Sequence, residues 1–151
     1  MRLLFYLLFT LSISINILNA ESRFGDLTEM RDDRMRGKDN KWVRPHPGPF
    51  VWNNIEKEKG IFSWEMADKY VTYAQNHNQK TIATIWPYSN WEQKSCKRKK
   101  ARSAFGKRFT KYLSKPCSME DYKNFLTKLV DRYDGDGSND MPGLSKPIKY
   151  W

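Results

Sequence analysis

Residues 42–64 read Trp42-Val-Arg-Pro-His-Pro-Gly-Pro-Phe-Val-Trp-Asn-Asn-Ile-Glu-Lys-Glu-Lys-Gly-Ile-Phe-Ser-Trp64. Trp42-Val43-Arg44 has the aromatic and β-branched character of a short strand. Pro45, Pro47, Gly48 and Pro49 stop it, because each proline removes a ladder donor and fixes the backbone in an extended turn. Phe50-Val51-Trp52 then resumes in a loop with large side chains on offer. Further on, Ser63 has the hydroxyl of an N-cap. Ala67, Tyr70, Val71 and Ala74 recur at spacings of three and four, so a helix is expected from Trp64 to about Asn78, with this stripe on a sheet face.

The pattern repeats downstream. Thr81-Ile-Ala-Thr-Ile-Trp86 is β-branched and almost continuously apolar, which suits a parallel strand buried on both faces, and Pro87 closes it. Ser118-Met-Glu-Asp121 resembles a capping box with a short acidic partner. Tyr122, Phe125, Leu126, Leu129, Val130 and Tyr133 follow on one helical face. Asp134-Gly-Asp-Gly ends that helix, and Pro147-Ile-Lys-Tyr-Trp151 begins another strand. The order is β-α-β-α-β, which implies parallel strands whose chemistry gathers at their carboxyl ends.

That rule selects the residues of interest. Arg44 and His46 end the first strand; Trp86, Tyr88 and Trp91 follow the second, with Glu92 beside them; Trp151 lies on the third. Aromatic rings pack against the C–H faces of sugars, whose hydroxyls need charged or amide partners. In a chain with 15% aromatic residues the same tryptophans serve equally well as plain packing, and both readings stand. His46 lacks the H-x-x-x-H partner of a metal site.

Both ends of the chain bear on its compartment. Met1-Arg2 gives a positive start, Leu3 to Leu18 is mostly apolar, and Asn19-Ala20 precedes the charged Glu21-Ser22-Arg23; residues 1–20 are thus expected to be a secretory signal peptide. Thr10, Ser12, Ser14 and Asn16 interrupt the run, which is too short and too polar for a membrane span. Residues 21–41 are charged and without apolar period, an irregular or weakly helical lead-in to a domain over 42–151. The formal net charge of +10 draws polyanions, and a secreted route makes acidic polysaccharide a more fitting partner than nucleic acid or membrane. Cys96 and Cys117 fit one bridge in an oxidising compartment, or two buried thiols, and are too few for a zinc knuckle.

Trp52-x-x-Ile55-Glu56-x-x-x-Gly60-x-Phe62-x-Trp64-x-x-x-Asp68, followed by Thr81–Tyr88, resembles the front of the (β/α)8 glycoside hydrolases of the retaining clan that holds cellulases, β-galactosidases and β-xylosidases. The resemblance spans residues 41–151. It implies an α/β fold, the N-terminal βαβαβ portion of an incomplete (β/α)8 TIM barrel, since a whole one needs about 250 residues. It also implies hydrolysis of β-linked carbohydrate by two glutamates, with no metal or cofactor. In such enzymes the strand matching Pro147–Trp151 runs into the Asn-Glu pair of the acid/base, so neither catalytic glutamate is expected within these residues.

Other motifs are weaker. Glu56 lies in the crossover, where the resemblance implies a structural role in fixing the turn, and it lacks the second carboxylate about 5–5.5 Å away that retaining hydrolysis needs. Glu92 matches a position where relatives carry an acid, and a substrate contact is expected of it, as of Arg44 beside the nucleophile. Lys97-Arg-Lys-Lys100, with Arg102, Lys107 and Arg108, reads in isolation as a nuclear-localisation or nucleic-acid patch, against which a secretory start argues, and otherwise as a solvated basic insertion between the cysteines. Asp134-Gly-Asp-Gly-Ser-Asn-Asp140 starts like a calcium loop, but Asn139 replaces the sixth-position glycine and no glutamate stands at the twelfth.

Overall fold

The structure is a computed structural model that describes residues 25–28, 41–45, 48–100 and 110–151. The expected signal segment, His46 and residues 101–109 of the basic insertion lie outside the described residues.

Three parallel strands form the sheet: β1 (Gly25–Thr28), β2 (Trp42–Pro45) and β5 (Lys80–Thr81), in the order β1-β2-β5. The lead-in therefore contributes a strand where irregular or weakly helical chain was expected. Its pairing rests on long-range register, Gly25 opposite Trp42 and Leu27 opposite Arg44, which no apolar period announces. A Cβ on Gly25 would meet the Trp42 Cβ at 2.8 Å, so glycine permits this close approach. Beyond β5 the chain continues alongside its neighbours through parallel bridges, Ile82 to Tyr150 and Val51 to Trp86. Between Pro147 and Trp151 the expected third strand is thus reduced to a single bridging residue.

Burial along 81–86 also differs from the expected two-sided pattern. Thr81 and Ala83 are buried, whereas Ile82, Thr84, Ile85 and Trp86 are partly exposed. Alternation of this kind belongs to a strand with one covered face. The covered face, with Val43 and Ala83, meets a core of Phe50, Trp52, Tyr70, Val71, Phe125, Leu129 and Tyr133. Each such side chain contributes about 1.5–3 kcal/mol by leaving water.

Two helices supply most of that core. Helix α2 (Glu65–Asn76) buries Ala67, Tyr70, Val71 and Ala74, the expected stripe. Ser63 does not cap it: Trp64 occupies the N-cap position, with no side-chain cap bond, and the Ser63 backbone N–H joins the hairpin to the Ile55 carbonyl at 2.7 Å. Asn78 ends the turn in the left-handed region at φ 57°, where asparagine is tolerated, and the Gln79 N–H closes onto the Ala74 carbonyl. Helix α4 (Met119–Tyr133) begins at Ser118, whose hydroxyl accepts the Asp121 N–H at 3.1 Å, and buries Phe125, Leu129 and Tyr133. The Asp121 carboxylate is engaged elsewhere, ion-paired to Lys59 at 2.8 Å.

Between β2 and α2 lie a one-turn helix α1 (Trp52–Ile55) and a hairpin of β3 (Glu56–Glu58) with β4 (Ile61–Phe62). A further short helix, α3 (Asn90–Ser95), follows the second strand segment. No helix among the described residues is long and apolar enough to cross a membrane.

Candidate functional site

At the carboxyl end of β2, Arg44 is exposed, and its Nε donates to Thr84 Oγ1 at 2.8 Å. Thr84 sits on the neighbouring strand segment, two residues before Trp86, so parallel pairing brings the two side chains to one strand end. Trp86 is held from both sides of its backbone: its N–H reaches the Phe50 carbonyl, and its own carbonyl accepts the Trp52 N–H at 3.0 Å. The Tyr88 carbonyl likewise accepts the Asn53 N–H at 2.9 Å. The rings of Trp86 and Tyr88 meet edge to face at 5.8 Å, both half-buried. Trp151 stands on the other side of Phe50, its ring 6.4 Å away and 41% exposed. Arg44, Thr84, Trp86, Tyr88 and Trp151 thus offer a guanidinium, a hydroxyl and three partly exposed rings on adjoining strand ends and their loops. Such a mixture suits a polyhydroxylated ligand with apolar faces.

The other expected residues lie elsewhere. Trp91 serves the hydrophobic cluster: its ring packs on Trp52 at 5.7 Å, and its indole N–H is taken by the Glu56 carbonyl at 3.0 Å. Glu92 is only 1% exposed. Its Oε1 accepts the backbone N–H groups of Cys117 and Ser118, the latter at 2.7 Å, so it fastens the entry to α4 and presents no carboxylate to a surface ligand. Its partner Oε2 is buried without a hydrogen bond among the described residues. The adjacent Gln93 repeats the fastening, accepting the Ser114 N–H and donating to the Ser114 carbonyl.

Glu56 has the structural role expected of it. The Trp52 indole N–H donates to Oε2 at 2.6 Å and the Gly60 N–H to Oε1 at 2.7 Å, inside a site 2% exposed. A groove of about 440 Å³ opens nearby, lined by Asn54, Lys57, Ser63, Glu65, Met66 and Lys69.

Cys96 and Cys117 form a disulfide with their Cα atoms 6.2 Å apart, within the range such a bridge spans. Among the described residues one acidic group has metal-ligand spacing: Asp134, Asp136 and Asp140, whose carboxylate oxygens lie within 4.8 Å of one another. Those oxygens already accept backbone N–H groups of the same turn, Asp140 from Gly135 and Gly137, Asp134 from Asp136, and Asp136 from Ser138. The group is a set of side-chain-closed turns.

Thr84 completes the strand-end group without having been among the residues singled out, whereas Trp151 was expected at the third strand. Alternation along 81–86 signals Thr84, since it shares a face with Trp86. No protein family, curated protein or solved structure matches the chain.

Proposed function

We propose that this chain is the front portion of a secreted glycoside hydrolase of the retaining (β/α)8 type, contributing the first strands of its carbohydrate-facing end. One observation carries the reading. The parallel segments β1, β2, β5 with Ile82, and Tyr150 neighbour one another in chain order, with α2 and α4 in the crossovers between the later ones. Sequential winding of this kind is how a (β/α)8 barrel is built, and it gathers ligand contacts at the carboxyl ends of strands. Arg44, Trp86 and Tyr88 stand at those ends.

On this reading these residues bind sugar and do not cleave it. Glu56 and Glu92, the first carboxylates after β2 and after the strand segment that ends at Trp86, are both buried and committed to backbone and indole donors. The test is binding of a β-1,4-linked glucan hexamer to the purified chain, followed by tryptophan fluorescence, beside an assay on aryl β-glycosides. Weak binding that Trp86→Ala or Arg44→Ala lowers about tenfold, without turnover, is the expected result. Absence of binding removes the support for the reading. Turnover abolished by Glu56→Gln or Glu92→Gln would move catalysis into these residues.

A further inference from the structure

The charge of this chain is confined to one place. From Gln93 to Ser118 there are ten lysines and arginines and no aspartate or glutamate; the remaining residues carry seventeen of each sign and no net charge. Nine of those ten cations lie between Cys96 and Cys117, which the disulfide closes into a loop, and Lys94 stands two residues before it. Six of its cations, Lys94, Lys97, Lys99, Lys100, Lys111 and Lys115, are exposed, and none forms an ion pair among the described residues.

The base of this segment is held. Asn90 Oδ1 accepts both the Thr110 hydroxyl at 2.9 Å and the Lys111 N–H at 2.7 Å. Gln93 brackets Ser114, Glu92 takes the Cys117 and Ser118 N–H groups, and the Arg98 N–H returns to the Gln93 carbonyl at 3.0 Å. The carboxylate that holds the Cys117 and Ser118 N–H groups, Glu92, is buried and so gives a surface ligand no charge to repel it. Cations fixed at both ends of a closed loop lose less freedom on binding than those of an open tail.

We propose that Lys94, Lys97, Lys99, Lys100, Lys111 and Lys115, which flank the Cys96–Cys117 bridge on the described arms of this segment, form a docking surface for an acidic polysaccharide, one bearing sulfate or uronate groups along its chain. Charge complementarity selects a polyanion. The disulfide selects among polyanions, because such bridges persist in the oxidising compartments where acidic glycans occur and nucleic acid does not. The proposal uses neither Arg44 nor Trp86, and it stands whether or not the strand ends bind neutral sugar.

The experiment uses the oxidised chain with three probes: a heparin decasaccharide, a dextran oligomer of equal length, and a DNA duplex of equal charge, each titrated over a range of salt. Heparin is expected to bind with an affinity that falls linearly in log salt, dextran not at all, and DNA more weakly than heparin. Substituting Lys94, Lys97, Lys99 and Lys100 with glutamine is expected to lower heparin affinity at least tenfold and to flatten the salt slope by roughly 0.7–0.9 per lost contact, on the scale established for nucleic acids. Substituting Lys69, Lys80, Lys128 and Lys149, none of which belongs to the segment, changes net charge equally and is expected to shift affinity by less than about threefold, because salt screens charges outside the bound patch. Equal losses from the two sets would overturn the site and leave only net charge. Tighter binding of the duplex than of heparin, or equal binding of dextran, would overturn the partner.

Discussion

Arg132 on α4 grips Asp68 on α2 through two parallel hydrogen bonds, Nε to Oδ1 at 2.9 Å and Nη2 to Oδ2 at 2.5 Å. The Tyr133 hydroxyl adds a third donor to Oδ1 at 2.7 Å, and the guanidinium lies over the Trp64 ring at 5.2 Å. One carboxylate thus joins helices 64 residues apart in sequence. Both ionic partners keep some solvent contact, which screens the pair itself, so the larger cost of losing the carboxylate comes from the orphaned Tyr133 hydroxyl in the core. Asp68→Ala is expected to destabilise by about 1–3 kcal/mol, read from the urea midpoint. Tyr133→Phe combined with Asp68→Ala should cost less than the two separately, because they share a bond.

The same contact fixes how stability responds to alkali. Burial raises the pKa of the Tyr133 phenol above its ordinary value, and the Asp68 bond and charge raise it further; burial also raises that of Tyr122. An unfolded tyrosine loses its proton near pH 10 while the folded one keeps it. The stability so contributed is complete below pH 10 and is lost as pH rises toward the folded value. Unfolding free energy should therefore fall above pH 10, by up to about 1.4 kcal/mol per pH unit for each proton retained. Phenylalanine at 133 and 122 should flatten that slope; an unchanged slope would refute the assignment.

Glu56 gives a test that separates structure from catalysis. Its two oxygens serve two donors, the Trp52 indole and the Gly60 N–H. Glutamine offers only one carbonyl oxygen, so Glu56→Gln sets an amide N–H₂ against one of those donors in a buried site. A loss of about 1–3 kcal/mol is expected, with no specific effect on sugar binding at the strand ends. A stable variant with altered sugar affinity would contradict this.

Periodicity made the helices legible and long-range pairing did not reveal itself. The stripe Ala67-Tyr70-Val71-Ala74 and the face Phe125-Leu129-Tyr133 are buried as their spacing requires, because helical contacts are local. Strand β1 was invisible, since its partners come from β2 and its own residues carry no pattern. Ser63 looked like a cap, but the helix begins one residue later, with Trp64 in the N-cap position. The spaced motif from Trp52 to Asp68 proves to be a set of structural partners: Trp52, Glu56 and Gly60 are bonded together, and Trp64 and Asp68 meet at Arg132. Residue type alone placed Arg44, Trp86 and Tyr88 at strand ends. The contacts of Glu92 and Trp91, with the Cys117 backbone and the Trp52 ring, join segments far apart in sequence and leave no local pattern.

Two fastenings hold the entry to α4, and they should be coupled. The disulfide ties Cys117 to the end of α3, and Glu92 from within α3 accepts the N–H groups of Cys117 and Ser118. With 21 residues between the sulfurs in sequence, the chain-entropy model assigns the bridge about 3 kcal/mol. Glu92→Ala orphans two N–H groups at the start of a helix, at about 1–3 kcal/mol. Once the disulfide is gone, however, the loosened segment can turn those groups toward water, so the second loss should be smaller than the first. Peptide mapping without reduction should recover Cys96 joined to Cys117, and the cycle of Glu92→Ala with Cys96→Ser/Cys117→Ser should show a coupling of at least 0.5 kcal/mol. Strict additivity would mean that the bridge and the carboxylate hold different parts of the chain.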